Sequence, residues 1–222
     1  MLGGKTPSEF MKLPIEEREN ILRGYLVTDD DVQIEEGDDF GLFNKEIATG
    51  SLLQQEYFMG EDEAGKQLVK EARQIYYREN TFSVRSHWLC EFICDTLADG
   101  KPIPIESLVQ RIIVRVDVED IYDMDDDMVD FMPEGEKEKS WVVRDLRQLL
   151  EFTNAEFIRI EVSGRGALDG SDPQTQEKIK EISGIVKTLI EQFGEKLTIR
   201  KLTQLNDGQS IFHDLRSWLM LE

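Results

Sequence analysis

The spacing of hydrophobic residues changes along the chain, and each change marks a predicted element. Residues 63–79 place apolar side chains on one side of a helix, whereas Phe82 and Val84 alternate with polar neighbours, as in a half-buried strand. The same reasoning predicts further strands over 111–118, 156–162 and 197–202.

A helix is predicted after each of these strands. The expected helices are 86–98, one capped by Ser140, one that begins at 172–173 and ends at Gly194, and a last one over 211–219 after a turn at 206–208. Repeated strand–helix units imply right-handed crossovers and a mainly parallel sheet. The predicted fold is therefore α/β, an irregular βαβαβαβα stack that is leucine-rich-repeat-like but lacks a tight repeat consensus.

Two short helices and an acidic segment are predicted ahead of this stack. Residues 6–9 have the form of a capping box with proline in the first turn, and Pro14 begins the second helix. Val32 and Ile34 indicate a short strand within an acidic segment that contains glycines. We expect a helical N-terminal region with an acidic loop over 1–60 and an α/β repeat-like domain over 61–222.

One side of the predicted sheet carries arginine side chains. When the strands are aligned on their centres, Arg115, Arg159 and Arg200 lie together on one side, which Phe157 shares. The aliphatic residues that point to the helices are Val114, Val116, Ile158, Ile160 and Ile199. Because arginine and aromatic residues are favoured at protein interfaces, this side is a predicted partner-binding face.

Two other interpretations of the arginines stay open. They could pair with Asp117 and Glu161 as a solvated ladder, since cross-strand charge pairs are common. Alternatively, residues 29–60 could cover them.

The net charge argues against one class of partner. With 26 basic and 46 acidic residues the 222-residue chain carries a charge of −20, whereas phosphate binding needs a basic surface, so no nucleic-acid partner is expected. No apolar run has membrane-spanning length, the first residues lack the apolar core of a signal peptide, and two cysteines do not suggest a disulfide framework. We expect a soluble protein of the cytoplasm or nucleus.

Three motifs that could carry chemistry are incomplete. His87, Cys90 and Cys94 have metal-like spacing, but a structural zinc site normally needs four ligands. The acidic stretch 117–130 lacks the central glycine and final glutamate of a calcium loop, which leaves open whether it binds cations, and the glycines of 163–166 lack the Lys-Ser/Thr of a P-loop. We expect no enzyme, no cofactor and no metal; an enzyme with an anion pocket beside the arginines is the competing hypothesis.

Two separate segments carry a family resemblance. The first, residues 13–18, reads LPIEER and runs into an apolar helix; the second, residues 71–82, begins E-x-R and ends in ENTF. Together they resemble a group of fungal proteins that begin with an F-box-like helix and carry a second E-x-R segment. Most members of that group have no assigned biochemical role.

The F-box resemblance implies binding to a Skp-type linker of a cullin ubiquitin ligase. The residues that would form this surface are Leu13, Pro14, Glu16, Ile21, Leu22, Tyr25 and Leu26. The implied function is a non-enzymatic protein-binding scaffold, a substrate receptor whose sheet face holds a client. The alternative is a fungal interaction or virulence-type protein without a ligase link, whose surface meets a host or self partner. A structural interpretation also stays open, in which residues 13–26 simply pack on the start of the α/β stack.

The twin E-x-R segments also predict a contact between two helices. If the helices lie side by side, Glu16 can pair with Arg73 and Arg18 with Glu71 as reciprocal ion pairs that fix their orientation. The sequence leaves the oligomeric state open.

Overall fold

A computed structural model describes residues 2–34, 62–93, 96–97, 101–102, 104–118, 141–204 and 209–219. The α-helices are α1 (Pro7–Phe10), α2 (Ile15–Leu26), α3 (Glu63–Glu79), α4 (Leu89–Ile93), α5 (Trp141–Arg147), α6 (Pro173–Phe193) and α7 (Arg216–Leu219). The strands are β1 (Val32–Ile34), β2 (Thr81–Arg85), β3 (Thr96–Leu97), β4 (Lys101–Pro102), β5 (Arg111–Asp117), β6 (Phe157–Ser163), β7 (Leu197–Gln204) and β8 (Ser210–Asp214).

Six of these strands form one sheet in the order β1-β2-β5-β6-β7-β8, while β3 and β4 form a separate antiparallel pair. Strand β1 runs parallel to β2 and β6 runs parallel to β7, whereas β8 is antiparallel to β7. The predicted α/β class with a mainly parallel sheet is therefore confirmed.

The chain divides into two compact units, each described here by itself. Unit 1 comprises Met1–Val84, Cys90–Ile112 and Glu151–Glu156, and unit 2 comprises Arg85–Leu89, Ile113–Leu150 and Phe157–Glu222. The division expected near residue 60 falls outside the described residues.

Helix α6 forms where its sequence signals place it. The side chain of Asp172 accepts the backbone N–H of Thr175 at 2.9 Å, proline occupies the first helical position, and Gly194 ends the helix at φ 57°. Its predicted inward residues are all buried: Ile179, Ile182, Val186, Leu189 and Phe193. The helix thus supplies much of the apolar core of unit 2.

The predicted helix over 86–98 is wrong in its second half. A 3₁₀ turn at Ser86–Trp88 leads into the short α4, which ends at Ile93, and Thr96–Leu97 is a strand paired with β4. Leu89 and Phe92 are buried as the helical spacing predicts. Cys90 is exposed rather than part of the apolar core, and Cys94 lies outside the described residues.

The predicted last helix over 211–219 is also wrong, because its first half is strand β8 and only Arg216–Leu219 is helical. The apolar spacing fits a helix, yet the preceding Asn-Asp-Gly sequence is typical of a hairpin between two strands. Pairing with β7 outweighs the local helical pattern. The turn residues 205–208 lie outside the described residues.

The asparagine of the ENTF segment joins the ends of two helices in unit 1. Asn80 is fully buried, and its side-chain amide donates to the carbonyls of Leu26 and Tyr76 at 2.8 and 2.9 Å. Its side-chain oxygen accepts the backbone N–H of Thr28 at 2.9 Å. One side chain therefore satisfies backbone groups at the ends of both α2 and α3, which would otherwise cost stability when buried.

The phenylalanine of the same segment anchors an aromatic cluster. The ring of Phe82 lies 5.3 Å from Tyr76, 5.6 Å from Tyr77 and 5.3 Å from Phe92, measured between ring centres. The ENTF sequence thus packs the beginning of β2 against the end of α3.

A fully buried lysine organises the loop between β6 and α6 in unit 2. The ammonium group of Lys201 donates to the carboxylate of Asp172 at 2.8 Å, to the carbonyl of Arg165 at 3.2 Å and to the hydroxyl of Thr175. Gly166 adopts φ 113°, and a Cβ there would lie 2.5 Å from the carboxyl carbon of Asp172. Of the two glycines in 163–166, Gly166 therefore leaves room for this buried ion pair, whereas a Cβ on Gly164 would lie 2.7 Å from Cβ of Val118.

The Lys201–Asp172 pair makes stability depend on pH. Burial opposes ionisation, but hydrogen bonds from Lys201 and Thr175 outweigh it and hold the pKa of Asp172 well below its ordinary value. Because the folded pKa is depressed, this contribution is complete above the unfolded pKa of about 3.9 and is lost as pH falls through the folded pKa.

We expect Asp172→Asn to flatten the pH dependence of the free energy of unfolding between pH 5 and pH 2. At pH 7 the variant should be less stable than the wild type, because Lys201 keeps its buried charge without a counter-ion. Urea unfolding across this pH range measures both effects. The exposed Asp31→Asn is the control and should keep the wild-type slope; an unchanged slope in Asp172→Asn would contradict the assignment.

Candidate functional site

The arginine-bearing side of unit 2 is formed by alternate residues of β5, β6 and β7. The aliphatic residues predicted to point to the helices are all buried: Val114, Val116, Ile158, Ile160 and Ile199. Arg115, Arg159 and Arg200 have side chains that are 32, 25 and 24% exposed. The predicted alternation of buried aliphatics and partly exposed arginines is therefore present.

The register between β6 and β7 differs from the predicted alignment. Arg200 lies opposite Glu161, and Arg159 lies opposite Thr198, so the arginines are offset by two residues rather than level. Side-chain alternation survives a shift of two residues, which is why the three arginines still share one side. The shift places a carboxylate directly beside Arg200.

Glu161 is the centre of this side of the sheet. Its side chain is only 5% exposed, and its carboxylate accepts hydrogen bonds from Nε and Nη2 of Arg200 at 3.0 and 2.5 Å. Arg159 approaches the same oxygen at 3.8 Å, and Nε of Arg115 lies 4.0 Å from the other oxygen. One buried carboxylate thus draws guanidinium groups from three neighbouring strands.

Two phenylalanine rings lie against two of the three arginines. The guanidinium carbon of Arg159 lies 4.6 Å from the centre of the Phe157 ring, and that of Arg200 lies 3.5 Å from the centre of the Phe212 ring. Cation–π contacts of this length are favourable and restrict the arginine rotamers. We call Arg115, Arg159, Arg200, Glu161, Phe157 and Phe212 the arginine face.

Sequence reasoning found the arginines and Phe157 but missed two members of the arginine face. Glu161 was considered only as a partner in a ladder, although its position two residues after Arg159 puts it on the same side of β6. Phe212 was assigned to a helix, so its ring was not expected beside Arg200. The alternative interpretation, in which the arginines pair with acidic neighbours, is correct for Glu161. The arginines nevertheless keep about a quarter to a third of their side-chain surface exposed.

The structure divides the predicted linker-binding residues between two sides of α2. Leu22 and Leu26 are buried where α2 packs on α3. Leu13 and Ile21 are half-buried, whereas Pro14, Glu16 and Tyr25 are exposed. The two leucines therefore serve the core of unit 1 and are not available to a linker in the folded chain.

Two apolar side chains of α2 are largely exposed, and one of them, Ile15, was not among the predicted linker-binding residues. Ile15 is 63% exposed and Tyr25 is 54% exposed. A shallow groove of about 580 Å³ lies along the same helix, lined by Pro14, Glu16, Glu17, Asn20 and Ile21.

One of the two predicted ion pairs between the E-x-R segments is present. Arg18 is buried; its Nε and Nη2 donate to the Glu71 carboxylate at 2.9 and 2.8 Å, and its Nη1 donates to the carbonyl of Leu13 at 2.6 Å. Glu16 is exposed on the outer side of α2, and Arg73 is buried with its guanidinium carbon 5.8 Å from the Tyr77 ring centre. The reciprocal arrangement is therefore replaced by a single bidentate pair.

A second bidentate pair joins the same helices. Arg23 donates from Nε and Nη2 to the carboxylate of Glu79 at 2.6 and 2.8 Å. These bonds lower the pKa of Glu79. At Glu71, burial raises the pKa, but the hydrogen bonds from Arg18 and Gln67 outweigh burial, so the pKa lies below its ordinary value. The pairs fix the rotation of α2 on α3, and thereby which residues of α2 face outwards.

Within the described residues, no group of three His, Cys, Asp or Glu side chains is placed to hold a metal ion. None of the described helices is both long enough and apolar enough to cross a bilayer. The acidic stretch 117–130 lies outside the described residues beyond Val118.

Comparison with protein-family models, with curated proteins and with solved structures finds no match for this chain.

We expect Glu161→Gln to destabilise the fold, because the isosteric amide leaves three guanidinium groups around a neutral side chain. The loss should be about 2 kcal/mol, below the value for a fully buried pair because the arginines are partly exposed. Urea unfolding at pH 7 measures it. The exposed Glu156→Gln, just before the same strand, should change stability by no more than about 0.5 kcal/mol. Equal effects of the two substitutions would mean that Glu161 does not organise this face.

Proposed function

We propose that this protein is a non-enzymatic protein-binding scaffold and that the arginine face is its recognition surface. The observation that carries the proposal is the set of partly exposed arginines held in fixed positions by Glu161 and by the two phenylalanine rings. Arginine and aromatic side chains supply a large share of binding energy at protein interfaces.

The arginine face is suited to binding because its long side chains are already ordered. An arginine normally loses considerable rotamer freedom when it is fixed at an interface, and this loss reduces affinity. Here Arg159 rests on Phe157, and Arg200 lies between Glu161 and Phe212. A partner would therefore meet guanidinium groups whose ordering cost is already met by folding.

The donors of this face favour a partner surface that carries carboxylates. Arg200 uses Nε and Nη2 for Glu161, and no described residue accepts from its Nη1 amino group. Guanidinium groups bind carboxylates through charge-assisted hydrogen bonds. The charge of −20 on the whole chain is screened beyond about 8 Å in physiological salt, so the local arginines determine contacts at this face.

A second candidate function concerns the outer side of α2. We infer that α1 and α2 correspond to the start of an F-box-like region and that the strand–helix order is leucine-rich-repeat-like. In that case a Skp-type linker would bind Leu13, Pro14, Ile15, Ile21 and Tyr25. The exposure of Ile15 and Tyr25 and the groove along α2 favour this candidate, while the burial of Leu22 and Leu26 removes two anchors from it. A linker-bound receptor would work in the cytoplasm or nucleus; without a ligase link, the fungal interaction-protein alternative applies.

We expect the double variant Phe157→Ala/Arg159→Ala to lose the partners that the wild type captures. Affinity purification from cells with quantitative mass spectrometry compares it with Trp141→Ala/Arg144→Ala, which removes another cation–π pair, 5.5 Å apart, outside the arginine face. Both variants should fold, since all four side chains are at least partly exposed. For a purified partner the face variant should weaken binding by about tenfold or more. Equal retention by both variants would contradict the proposed recognition surface.

We expect a purified Skp-type linker to bind the wild type in isothermal titration if the α2 candidate holds. Ile15→Glu with Tyr25→Glu should abolish that binding, because charges would replace the exposed apolar contacts without disturbing the core. Phe157→Ala/Arg159→Ala serves as the control and should bind the linker like the wild type. Absence of wild-type binding would contradict the ligase link and leave the arginine face unaffected.

A further inference from the structure

Strand β8 is the last strand of the six-stranded sheet, and none of the described strands pairs with its outer edge. On one side it pairs with β7, and no other strand of the described residues follows it in the sheet. Ser210, Phe212, His213 and Asp214 are exposed, and Ile211 is partly exposed. An edge of this kind presents unpaired backbone N–H and C=O groups to a further strand.

The register of the β7–β8 ladder shows which backbone groups point outwards. The backbone N–H of Leu215 donates to the carbonyl of Ile199 at 3.0 Å, and Lys201 lies opposite His213. Closely bonded pairs recur at every second position of an antiparallel ladder, so the pairs at His213 and Ile211 bond to β7. The N–H and C=O groups of Ser210, Phe212 and Asp214 therefore point away from the sheet.

Strand β8 has little of the usual protection of an exposed edge, and Asp214 is its one acidic residue. Its sequence, Ser-Ile-Phe-His-Asp, contains no lysine and no proline, the residues that commonly prevent edge pairing. Phe212 is 47% exposed, yet its ring is fixed by Arg200 at 3.5 Å. An ordered aromatic ring on an open edge is a ready partner for an apolar cross-strand neighbour.

The charges indicate what kind of strand would bind. Asp214 is exposed on the same side of β8 as Phe212, and no described residue forms a salt bridge with it. Because distant charges are screened, the local carboxylate of Asp214 rather than the net charge of the chain decides the partner, and it favours a basic side chain opposite it on an added strand.

We propose that the outer edge of β8 binds an extended basic segment of a partner protein by antiparallel strand addition. In this arrangement the partner places an apolar side chain opposite Phe212 and a lysine or arginine two residues away, opposite Asp214. Backbone hydrogen bonds to Ser210, Phe212 and Asp214 supply affinity, and the two side-chain contacts supply specificity. This proposal extends the proposed scaffold function; it uses the edge of the sheet, which shares only Phe212 with the arginine face.

A synthetic peptide, Thr-Lys-Thr-Phe-Thr-Lys-Thr, tests the proposal by isothermal titration with the full chain. Its palindromic sequence places Phe opposite Phe212 and a lysine opposite Asp214. It should bind about tenfold more tightly than the same peptide with glutamate in place of lysine. Asp214→Asn, which keeps the side-chain oxygen that accepts the Arg216 N–H at 2.8 Å, should weaken binding about threefold.

N-methylated peptides separate strand addition from simple charge attraction. In an antiparallel addition, the N–H of the central Phe donates to β8, whereas the N–H groups of the adjacent Thr residues point away. N-methylation of Phe should therefore weaken binding about tenfold or more, and N-methylation of an adjacent Thr should leave it unchanged. Four results would each overturn the proposal. The two methylations could have equal effects, or the glutamate peptide could bind more tightly than the lysine peptide. The lysine peptide could fail to bind at millimolar concentration, or the protein could form a dimer in sedimentation that is lost on Phe212→Ala.

The edge proposal and the arginine-face proposal can be overturned independently of each other. Phe157→Ala/Arg159→Ala should bind the lysine peptide like the wild type, since neither residue lies on β8. Peptide binding that persists while this variant keeps its cellular partners would overturn the proposed recognition surface alone. If the lysine peptide does not bind as expected, but Phe157→Ala/Arg159→Ala loses its cellular partners, the edge proposal alone would be overturned.

Discussion

The carboxylate of Glu161 is the interaction on which the arginine face depends. The neighbouring strands β5, β6 and β7 each contribute an arginine. Without a central anion, the three guanidinium groups would repel one another. Because Glu161 is almost fully buried while the arginines are partly exposed, the anion is shielded and the cations remain accessible. Folding therefore assembles a positively charged, ordered surface on a chain whose overall charge is strongly negative.

In unit 1 a different set of buried polar contacts determines what the surface offers. Asn80 joins the ends of α2 and α3, and the Arg18–Glu71 and Arg23–Glu79 pairs fix the rotation of α2. This rotation turns Leu22 inwards and Tyr25 outwards. The residues that resemble an F-box-like helix thus have two roles, since part of them forms the core and the remainder forms the outer surface.

The sequence was sufficient to predict the elements whose capping residues and hydrophobic periodicity indicate the same structure. It was insufficient where local preferences and long-range strand pairing compete. The long helix after Asp172 and the alternation around Arg159 were predicted correctly, because capping residues and side-chain alternation act locally. Strand β8 was missed because pairing with β7 overrides an apolar spacing that also fits a helix. The central role of Glu161 depends on strand register, and the buried Lys201 depends on a carboxylate from a distant loop; neither follows from periodicity.

A double-mutant cycle between Glu161 and Arg200 tests the central claim most directly. The free energies of unfolding of Glu161→Gln, Arg200→Gln and the double variant give the coupling between the two side chains. If Glu161 organises the arginine face, the coupling should be about 1–2 kcal/mol in favour of the pair, with the double variant more stable than the sum of the single losses predicts. Losses that add to within about 0.3 kcal/mol would show that the two residues act independently, and the arginine face would lack its proposed basis.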